Sequence, residues 1–351
     1  MHNKARRFKA LLYMVYLGLA TLLGAELTLR VFVSSDPAFY VAFSDPEPGS
    51  VVQYPYGEIL YNTDGFADDE FEQSKTRPRV GYFGDSVCFG VGAGYGYRIS
   101  EVMREHYPEY EHMNFTGGLG GGTLEVSEKA VRFGEEYELD AVVYLMNLND
   151  ILPEGRTGGL REIRQGGGFL QKLEWLRGRS YLYTYVRQIL KKLRNPGGGA
   201  TAYELYPETH VGIIEGTARR VASVKEELDP LGIRYVVLIL PYEMQVSDEA
   251  ARVYKEAGNE WEDAFISGLT QDLLIEQMSG TTVVDGLEAF LGPERDQSRR
   301  SKYGVGEAFV YNLGERHDWN HPNRVGHRLL GQLLAERRAL DGLGSDEAGS
   351  E

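Results

Sequence analysis

The chain has 351 residues, of which 42% are hydrophobic, and a formal net charge of −15 at pH 7. This length suits one large α/β domain with an inserted segment. The negative charge argues against a nucleic-acid partner, because nucleic-acid binding needs a basic surface. The single cysteine, Cys88, excludes a disulfide within the chain.

Residues 1–33 are predicted to be a signal anchor that crosses a membrane. An uncharged run over residues 10–25 follows four basic residues, which are Lys4, Arg6, Arg7 and Lys9. This order is typical of a secretion signal or an anchor, and it directs the rest of the chain out of the cytoplasm. No clear small-x-small cleavage site follows the run, which favours an uncleaved anchor over a cleaved signal. A buried helix of a soluble protein is the remaining interpretation.

Residues 34–77 are predicted to be a lead-in segment, and residues 78–340 the main domain. Apolar runs alternate there with amphipathic stretches, which is typical of a parallel sheet with helices on both faces. The run Val236–Leu240 is apolar throughout, as in a strand buried on both sides. We predict strands near 80–84, 111–115, 140–146, 233–240 and 281–285, and helices near 97–106, 123–137, 212–229, 248–278 and 322–338.

An insertion over about residues 153–210 interrupts this pattern. It contains two glycine triplets, at 166–168 and 197–199, that predict loops or hinges. The stretch between them, 169–194, reads as a basic amphipathic helix. Such a helix would lie on lipid or cover the site, or else pack on the core with a solvated basic face. Residues 341–351 are small and acidic and are predicted to form a disordered tail.

Ser86 is the candidate nucleophile. A short apolar run over residues 80–83 stops at Gly84-Asp85-Ser86, and a glycine-rich turn and a predicted helix follow. Open α/β sheets place their chemistry at such strand–turn–helix junctions. Cys88, two residues later, is interpreted as a small buried residue rather than a second nucleophile.

The candidate base lies far downstream, in Asp318-Trp-Asn-His321-Pro322-Asn323. The His321 imidazole would accept the Ser86 proton, and Asp318 would fix its tautomer and stabilise the imidazolium. Pro322 suits the first turn of the helix that follows.

Two asparagines follow predicted strands and offer groups for an oxyanion. Asn149, in Asn147-Leu-Asn149-Asp150, carries an amide that can donate to developing negative charge. Asn114 precedes several glycines whose backbone N–H groups are not shielded by side chains: Gly117, Gly118, Gly120, Gly121 and Gly122.

Four blocks resemble, in chain order, the motifs of the SGNH (GDSL-type) hydrolase superfamily, and the resemblance covers residues 78–338. They are Gly84-Asp85-Ser86, the glycine-rich loop after Asn114, Asn149-Asp150 and Asp318-x-x-His321. The resemblance implies a flavodoxin-like three-layer α/β/α fold with a five-stranded parallel sheet and a site beyond the carboxyl ends of the strands. A further stretch, Asn62-Thr-Asp-Gly-Phe-Ala-Asp68, resembles the Asn-x-x-Gly-Phe-Arg-Asp segment of membrane-anchored bacterial members, with Ala67 in place of the arginine. As structure, this stretch is predicted to be a β-turn against the sheet edge.

The resulting hypothesis is ester hydrolysis by Ser86, His321 and Asp318 through an acyl-enzyme. The oxyanion would be held by the Ser86 N–H, by Gly120 or Gly121, and by the Asn149 side chain. The usual spacing of the family, counted back from Thr123, indicates Gly120 or Gly121. The same spacing counted forward from Asn114 indicates Gly118.

The resemblance implies an O-acyl substrate, foremost an acetyl ester of a carbohydrate and next a lipid ester, reached from the outer side of the membrane. One alternative is O-acetyl transfer to a sugar in cell-envelope or exopolysaccharide modification, and another is a non-catalytic polysaccharide-binding or assembly protein. The sequence contains no metal-ligand spacing, phosphate loop or dinucleotide motif, so no cofactor and no metal are expected.

Overall fold

Five parallel strands form the sheet that carries the candidate site. The computed structural model describes residues 2–32, 48–54, 56–117, 123–153, 180–183, 185–186, 202–313 and 316–343. Its strands are β1 (Val51–Tyr54), β2 (Gly57–Leu60), β3 (Arg79–Gly84), β4 (Glu111–Asn114), β5 (Ala141–Asn147), β6 (Arg234–Leu240), β7 (Thr282–Asp285), β8 (Asn312–Leu313) and β9 (Arg316–His317). The central sheet has the order β4-β3-β5-β6-β7, and each neighbouring pair is parallel.

Helices flank both faces of this sheet. Among the described residues, the part of the chain that contains the sheet has the helices α2 (Ser86–Phe89), α3 (Ile99–His106), α4 (Thr123–Glu136), α5 (Val211–Leu228), α6 (Glu243–Val246), α7 (Asp248–Glu256), α8 (Asp263–Ser267), α9 (Leu269–Gln277), α10 (Glu288–Leu291) and α11 (Arg324–Glu336). The N-terminal helix α1 (His2–Phe32) precedes them in the chain. Contacts divide the chain into two compact units, Met1–Asp45 with Arg164–Ala200 and Pro46–Ile163 with Thr201–Glu351.

Alternating side chains of the buried strands feed two separate cores. Phe83 and Tyr144 pack on one face, in a cluster with residues of α4, α5 and α9. Tyr82 and Val143 pack on the other, with residues of α3 and α11. Every residue of β5 is buried, which explains its uniformly apolar sequence. The predicted three-layer fold with a five-stranded parallel sheet is confirmed.

The predicted helix over 248–278 is wrong as a single element. Three helices, α7, α8 and α9, occupy this range. Gly258 and Gly268 interrupt it with φ angles of +88° and +95°, in the left-handed region where glycine is the favoured residue. Apolar residues occur on both sides of each break, so the sequence pattern alone did not reveal them.

The lead-in stretch around Asn62 forms the predicted turn. The Gly65 N–H donates to the Asn62 carbonyl at 3.0 Å, and the Asn62 side chain accepts from the Phe66 N–H at 2.9 Å. Phe66 packs edge-on against Phe115 beside β4. The carbonyl of Ala67 accepts a hydrogen bond from the buried guanidinium of Arg98, so an arginine does reach this position from elsewhere in the chain.

Within the described ranges, one helix is long and apolar enough to cross a membrane, judged by length and composition. The stretch Leu12–Val31 of α1 has a mean hydropathy of 1.6 and none of it is buried. A signal sequence near an N-terminus meets the same criterion. Most of the predicted helix over 169–194 lies outside the described residues, although residues 181–183 and 185–186 are helical. Of the predicted tail, residues 344–351 lie outside them, and Leu343 is buried.

Candidate active site

Ser86 lies at a tight junction between strand β3 and the short helix α2. Asp85 caps this helix, because its carboxylate accepts the Val87 N–H at 3.1 Å. At Gly84, an added Cβ would lie 2.8 Å from the Cys88 Cβ and 2.9 Å from the Leu145 carbonyl oxygen. Only glycine therefore lets β3 end so close to β5 and turn directly into the serine.

Ser86, His321 and Asp318 form a continuous series of hydrogen bonds. The Ser86 Oγ lies 2.7 Å from the His321 Nε2. The His321 Nδ1 lies 2.8 Å and 2.7 Å from the two carboxylate oxygens of Asp318. Because a carboxylate only accepts, Nδ1 carries the proton and Nε2 presents its lone pair to the serine hydroxyl. The His321 and Asp318 side chains are 15% and 8% exposed, so water has limited access to the pair.

Backbone pairing holds the loop that carries His321. The Val310 N–H donates to the His321 carbonyl at 2.9 Å, and the Asp318 N–H donates to the Tyr311 carbonyl at 3.2 Å. The Asp318 carboxylate also accepts the His321 backbone N–H at 3.3 Å. Asp318 therefore orients both the loop and the imidazole that the loop presents.

The helix after this loop begins later than predicted. Asn323 is the N-cap of α11, and its side chain accepts the N–H groups of Val325 and Gly326. Pro322 therefore precedes the helix instead of lying in its first turn, which corrects the sequence prediction. Either residue suits a helix start, and the asparagine takes the capping position here.

The turn after Ser86 packs directly against the His321 loop. Gly92 has a φ of +87°, and a Cβ there would lie 3.0 Å from the Pro322 carbonyl oxygen and would clash with Val310. The Arg324 Nε donates to the Ala93 carbonyl at 3.0 Å. These contacts join the chain segments on either side of the serine–histidine pair.

Asn149 follows β5 in a 3-10 turn and is exposed. Its side chain hydrogen-bonds with the Asp85 carboxylate, which also interacts with Ser86 and His321. The structure thus brings Asn149 beside the nucleophile. Gly118, Gly120 and Gly121 lie outside the described residues, so the glycine of the predicted oxyanion site has no described position.

Asn114 and Cys88 lie beneath the nucleophile in the core. The Asn114 amide donates to the Cys88 carbonyl at 2.9 Å and is buried, so this side chain supports the turn. Cys88 is 1% exposed, and burial raises the pKa of its thiol well above the ordinary value. A neutral buried thiol is a poor nucleophile, in agreement with its interpretation as a small buried residue.

Three buried acids lie around the site, and sequence reasoning assigned no role to Asp85 or Asp150. Asp85 is 7% exposed. Burial raises the pKa of its carboxyl group, although the hydrogen bond from the Val87 N–H acts in the opposite direction. Asp150 accepts the Tyr144 hydroxyl at 2.8 Å, and burial, with Asp85 nearby, raises its pKa. Glu243 is 1% exposed and accepts the Gly306 N–H at 2.6 Å. The available signal was an acidic residue directly after a buried strand.

The segment that follows β6 lies behind the candidate site. Tyr242, Glu243 and Met244 are all buried. The Glu243 N–H donates to the Trp319 carbonyl at 2.8 Å, so this segment supports the Asp318 loop from behind. Among the described residues, no group of three or more His, Cys, Asp or Glu side chains is arranged to hold a metal ion.

Comparisons with known proteins give structural matches only. No protein-family model matches the sequence, and no curated protein does. A protein of the G-D-S-L lipolytic family from Desulfitobacterium hafniense DCB-2 is 12% identical, with a TM-score of 0.38, over 75% of this chain and 100% of that one. The acetyl xylan esterase AlAXEase is 14% identical, with a TM-score of 0.40, over 74% and 98%. The salicylyl-acyltransferase SsfX3 from a tetracycline biosynthetic pathway is 14% identical, with a TM-score of 0.31, over 80% and 59%.

The sheet order and the positions of the motifs characterise the chain independently of these distant matches. Ser86 follows β3, and Asn149 follows the neighbouring central strand β5. The Asp318-x-x-His321 loop returns to the serine just before the last helix. The chain thus combines an open parallel α/β sheet with a serine, a histidine and an aspartate that are joined by hydrogen bonds beyond the carboxyl ends of its strands.

Proposed function

We propose that this protein is a serine-dependent ester hydrolase that acts through an acyl-enzyme on Ser86. The observation that carries the proposal is the hydrogen-bonded series from the Ser86 Oγ through His321 to Asp318, at 2.7 Å and 2.7–2.8 Å. A serine hydroxyl is a weak nucleophile alone, and this arrangement supplies the adjacent base and the group that orients it.

The reaction would proceed in two steps. The Ser86 Oγ attacks the ester carbonyl carbon while its proton passes to the His321 Nε2, and the carbonyl π electrons move to the oxygen. The tetrahedral intermediate collapses, the ester C–O bond breaks, and His321 protonates the leaving alcohol. Water then attacks the acyl-enzyme with His321 as base, which releases the carboxylic acid and restores Ser86. Asp318 stabilises the imidazolium in both steps.

The negative oxygen of each intermediate needs donors that are already in place. We assign this role to the Ser86 N–H, the Asn149 side chain and a backbone N–H of Gly120 or Gly121. The position of Asn149 beside Asp85 and Ser86 supports its part. Loss of one such donor typically lowers turnover by about 100- to 1,000-fold.

The substrate class and location rest on the anchor and on the resemblance of the motifs. A retained helix over Leu12–Val31, with basic residues before it, would hold the catalytic domain on the outer side of the membrane. There we propose an O-acetyl ester of a carbohydrate as substrate, or else a lipid ester. Transfer of the acetyl group to a sugar hydroxyl would use the same acyl-enzyme and differ only in the acceptor.

The test uses the full-length protein in detergent with p-nitrophenyl esters from acetate to longer chains. Ser86→Ala should abolish hydrolysis, and wild type should give a covalent adduct with a serine-directed phosphonate. Ser223→Ala is the matched control, because Ser223 is exposed on α5 and should leave the rate unchanged. Equal background rates for wild type and Ser86→Ala, with no adduct, would refute the proposal and favour a non-catalytic role.

A sugar acceptor then distinguishes hydrolysis from transfer. Acetylated polysaccharide would be supplied with and without an excess of unacetylated oligosaccharide. Hydrolase activity predicts release of acetate at the same rate in both. A fall in acetate with matching acetylation of the oligosaccharide would instead assign the protein as an O-acetyltransferase.

A further inference from the structure

A carboxylate lies within the apolar stretch of α1. Glu26 is five residues before the end of the stretch Leu12–Val31. At about 1.5 Å per residue, it lies roughly 7–8 Å inside that end. A charged side chain at this depth is costly unless it is paired, and unpaired ones are rare in membrane-spanning segments.

Glu26 is paired, and most of its donors come from a distant part of the sequence. Its carboxylate accepts the Ser180 hydroxyl at 2.8 Å, the Tyr181 N–H at 3.0 Å and the Leu182 N–H at 2.9 Å. Arg30, one turn further along α1, adds a fourth bond at 2.8 Å. The Glu26 side chain is consequently only 17% exposed.

The same segment makes a second contact with α1 closer to the helix end. The Arg30 guanidinium lies over the Tyr181 ring, 5.1 Å from its centroid. Both pieces belong to the same compact unit. Residues 180–182 are therefore fixed to α1 at the depth of Glu26 and Arg30, wherever α1 lies in a bilayer.

The composition of the segment fits the border between headgroups and acyl chains. Tyrosine is enriched at that depth in membrane proteins because its ring is apolar and its hydroxyl stays hydrated. The segment has three tyrosines, at 181, 183 and 185. Tyr185 and Val186 are each 41% exposed.

We propose that residues 180–186 are a membrane-docking element whose partner is the lipid of the leaflet beside the outer end of α1. Glu26 fixes the element to the anchor, and Tyr185 and Val186 contact the headgroup–acyl border. The proposal depends on the anchor proposed above but not on esterase activity.

The test measures depth in the bilayer with single fluorophores on the full-length protein. An NBD group on Val186→Cys would be compared with two controls, Leu19→Cys in the middle of α1 and Ser223→Cys on α5. Each protein would be reconstituted in phosphatidylcholine–phosphatidylglycerol vesicles that carry nitroxide lipids labelled near the headgroup or deep in the acyl chain. Cys88 is buried, and unsubstituted protein treated with the dye gives the blank.

We expect the shallow nitroxide to quench position 186 more than the deep one does. Position 19 should show the reverse order, and position 223 should respond to neither. Glu26→Ala should reduce quenching at 186 to the level of position 223 and leave position 19 unchanged, because only the link to the element is lost.

Three results would overturn the proposal. One is quenching at 19 without quenching at 186. Another is quenching at 186 that Glu26→Ala does not alter. The third is a blue-shifted emission at 186 that no nitroxide lipid affects, which would show that protein covers it. Loss of quenching at 19 itself would refute the anchor, while p-nitrophenyl acetate hydrolysis in the same samples reports separately on the esterase.

Discussion

Asn323 connects the His321 loop to the helix behind it, and its replacement tests how that loop is held. The side-chain oxygen accepts the Val325 N–H at 2.8 Å and the Gly326 N–H at 3.3 Å. The side-chain nitrogen lies 3.1 Å, 3.1 Å and 3.2 Å from the carbonyl oxygens of residues 306, 307 and 309. One amide thus caps α11 and ties two stretches of chain together.

Asn323→Ala removes both functions. Loss of an N-cap typically costs about 1 kcal/mol, and loss of the two amide donors costs about 1 kcal/mol each. The free energy of unfolding should therefore fall by about 3 kcal/mol, a factor of roughly 150 in the unfolding equilibrium. Asn323→Ser keeps an acceptor for the cap, so it should lose only about 2 kcal/mol of this.

Urea unfolding of the full-length protein in detergent, followed by tryptophan fluorescence, measures the stability term, because Trp319 belongs to this loop. Turnover of p-nitrophenyl acetate measures the effect on His321. A displacement of the imidazole by about 1 Å should lower kcat by up to roughly 100-fold with little change in KM. A free energy of unfolding within about 0.5 kcal/mol of wild type would refute the stabilising role of Asn323. Lower stability with unchanged kcat would show that Asn323 does not position His321.

Two further changes test close packing and a buried charge. Gly92→Ala should destabilise the protein and lower kcat, because the new Cβ would push against Pro322. Gly258→Ala is the control, because Gly258 also has a positive φ but has open space around it. The difference between the two variants in urea midpoint and in kcat therefore measures the effect of the clash. Burial raises the pKa of Glu204 to about 7 from an ordinary 4.5. The folded state therefore keeps a proton that the unfolded chain loses, and stability falls as pH rises from 4.5 to 7 by up to about 3 kcal/mol. Glu204→Gln should reduce the slope in urea titrations by this amount, whereas Glu226→Gln, at an exposed position, should leave the slope unchanged.

The sheet could be predicted from the sequence because strands that are buried on both faces consist of nearly continuous apolar runs. The bounds of β5 and β6 differ from the predicted 140–146 and 233–240 by one residue at most. The breaks at Gly258 and Gly268 could not be predicted in the same way. A helical pattern of apolar residues tolerates glycine, and only the positive φ angles show that the chain turns there.

The candidate site could also be predicted only in part. Adjacent parallel strands bring their carboxyl ends together, so the pairing of β3 with β5 accounts for Ser86 and Asn149 lying close. The approach of His321 depends on pairing between residues 308–311 and 318–323, which no local pattern encodes. Asp85 was equally hidden, since an acidic residue in a glycine turn ordinarily faces water, whereas here it is buried and contacts Asn149.

The geometry of the serine–histidine pair is imposed by the loops around it. A single neutral hydrogen bond contributes only about 1 kcal/mol to stability, so the bond from Ser86 to His321 cannot by itself hold its two segments together. The contact of Gly92 with Pro322 and the bond from Arg324 to Ala93 join the same two segments, and the bonds of Asn323 hold the His321 loop in place. Ser86→Ala removes none of these contacts. The alanine variant should therefore unfold at the same urea concentration as wild type, within about 1 kcal/mol, and any loss of activity in it can be attributed to the missing hydroxyl.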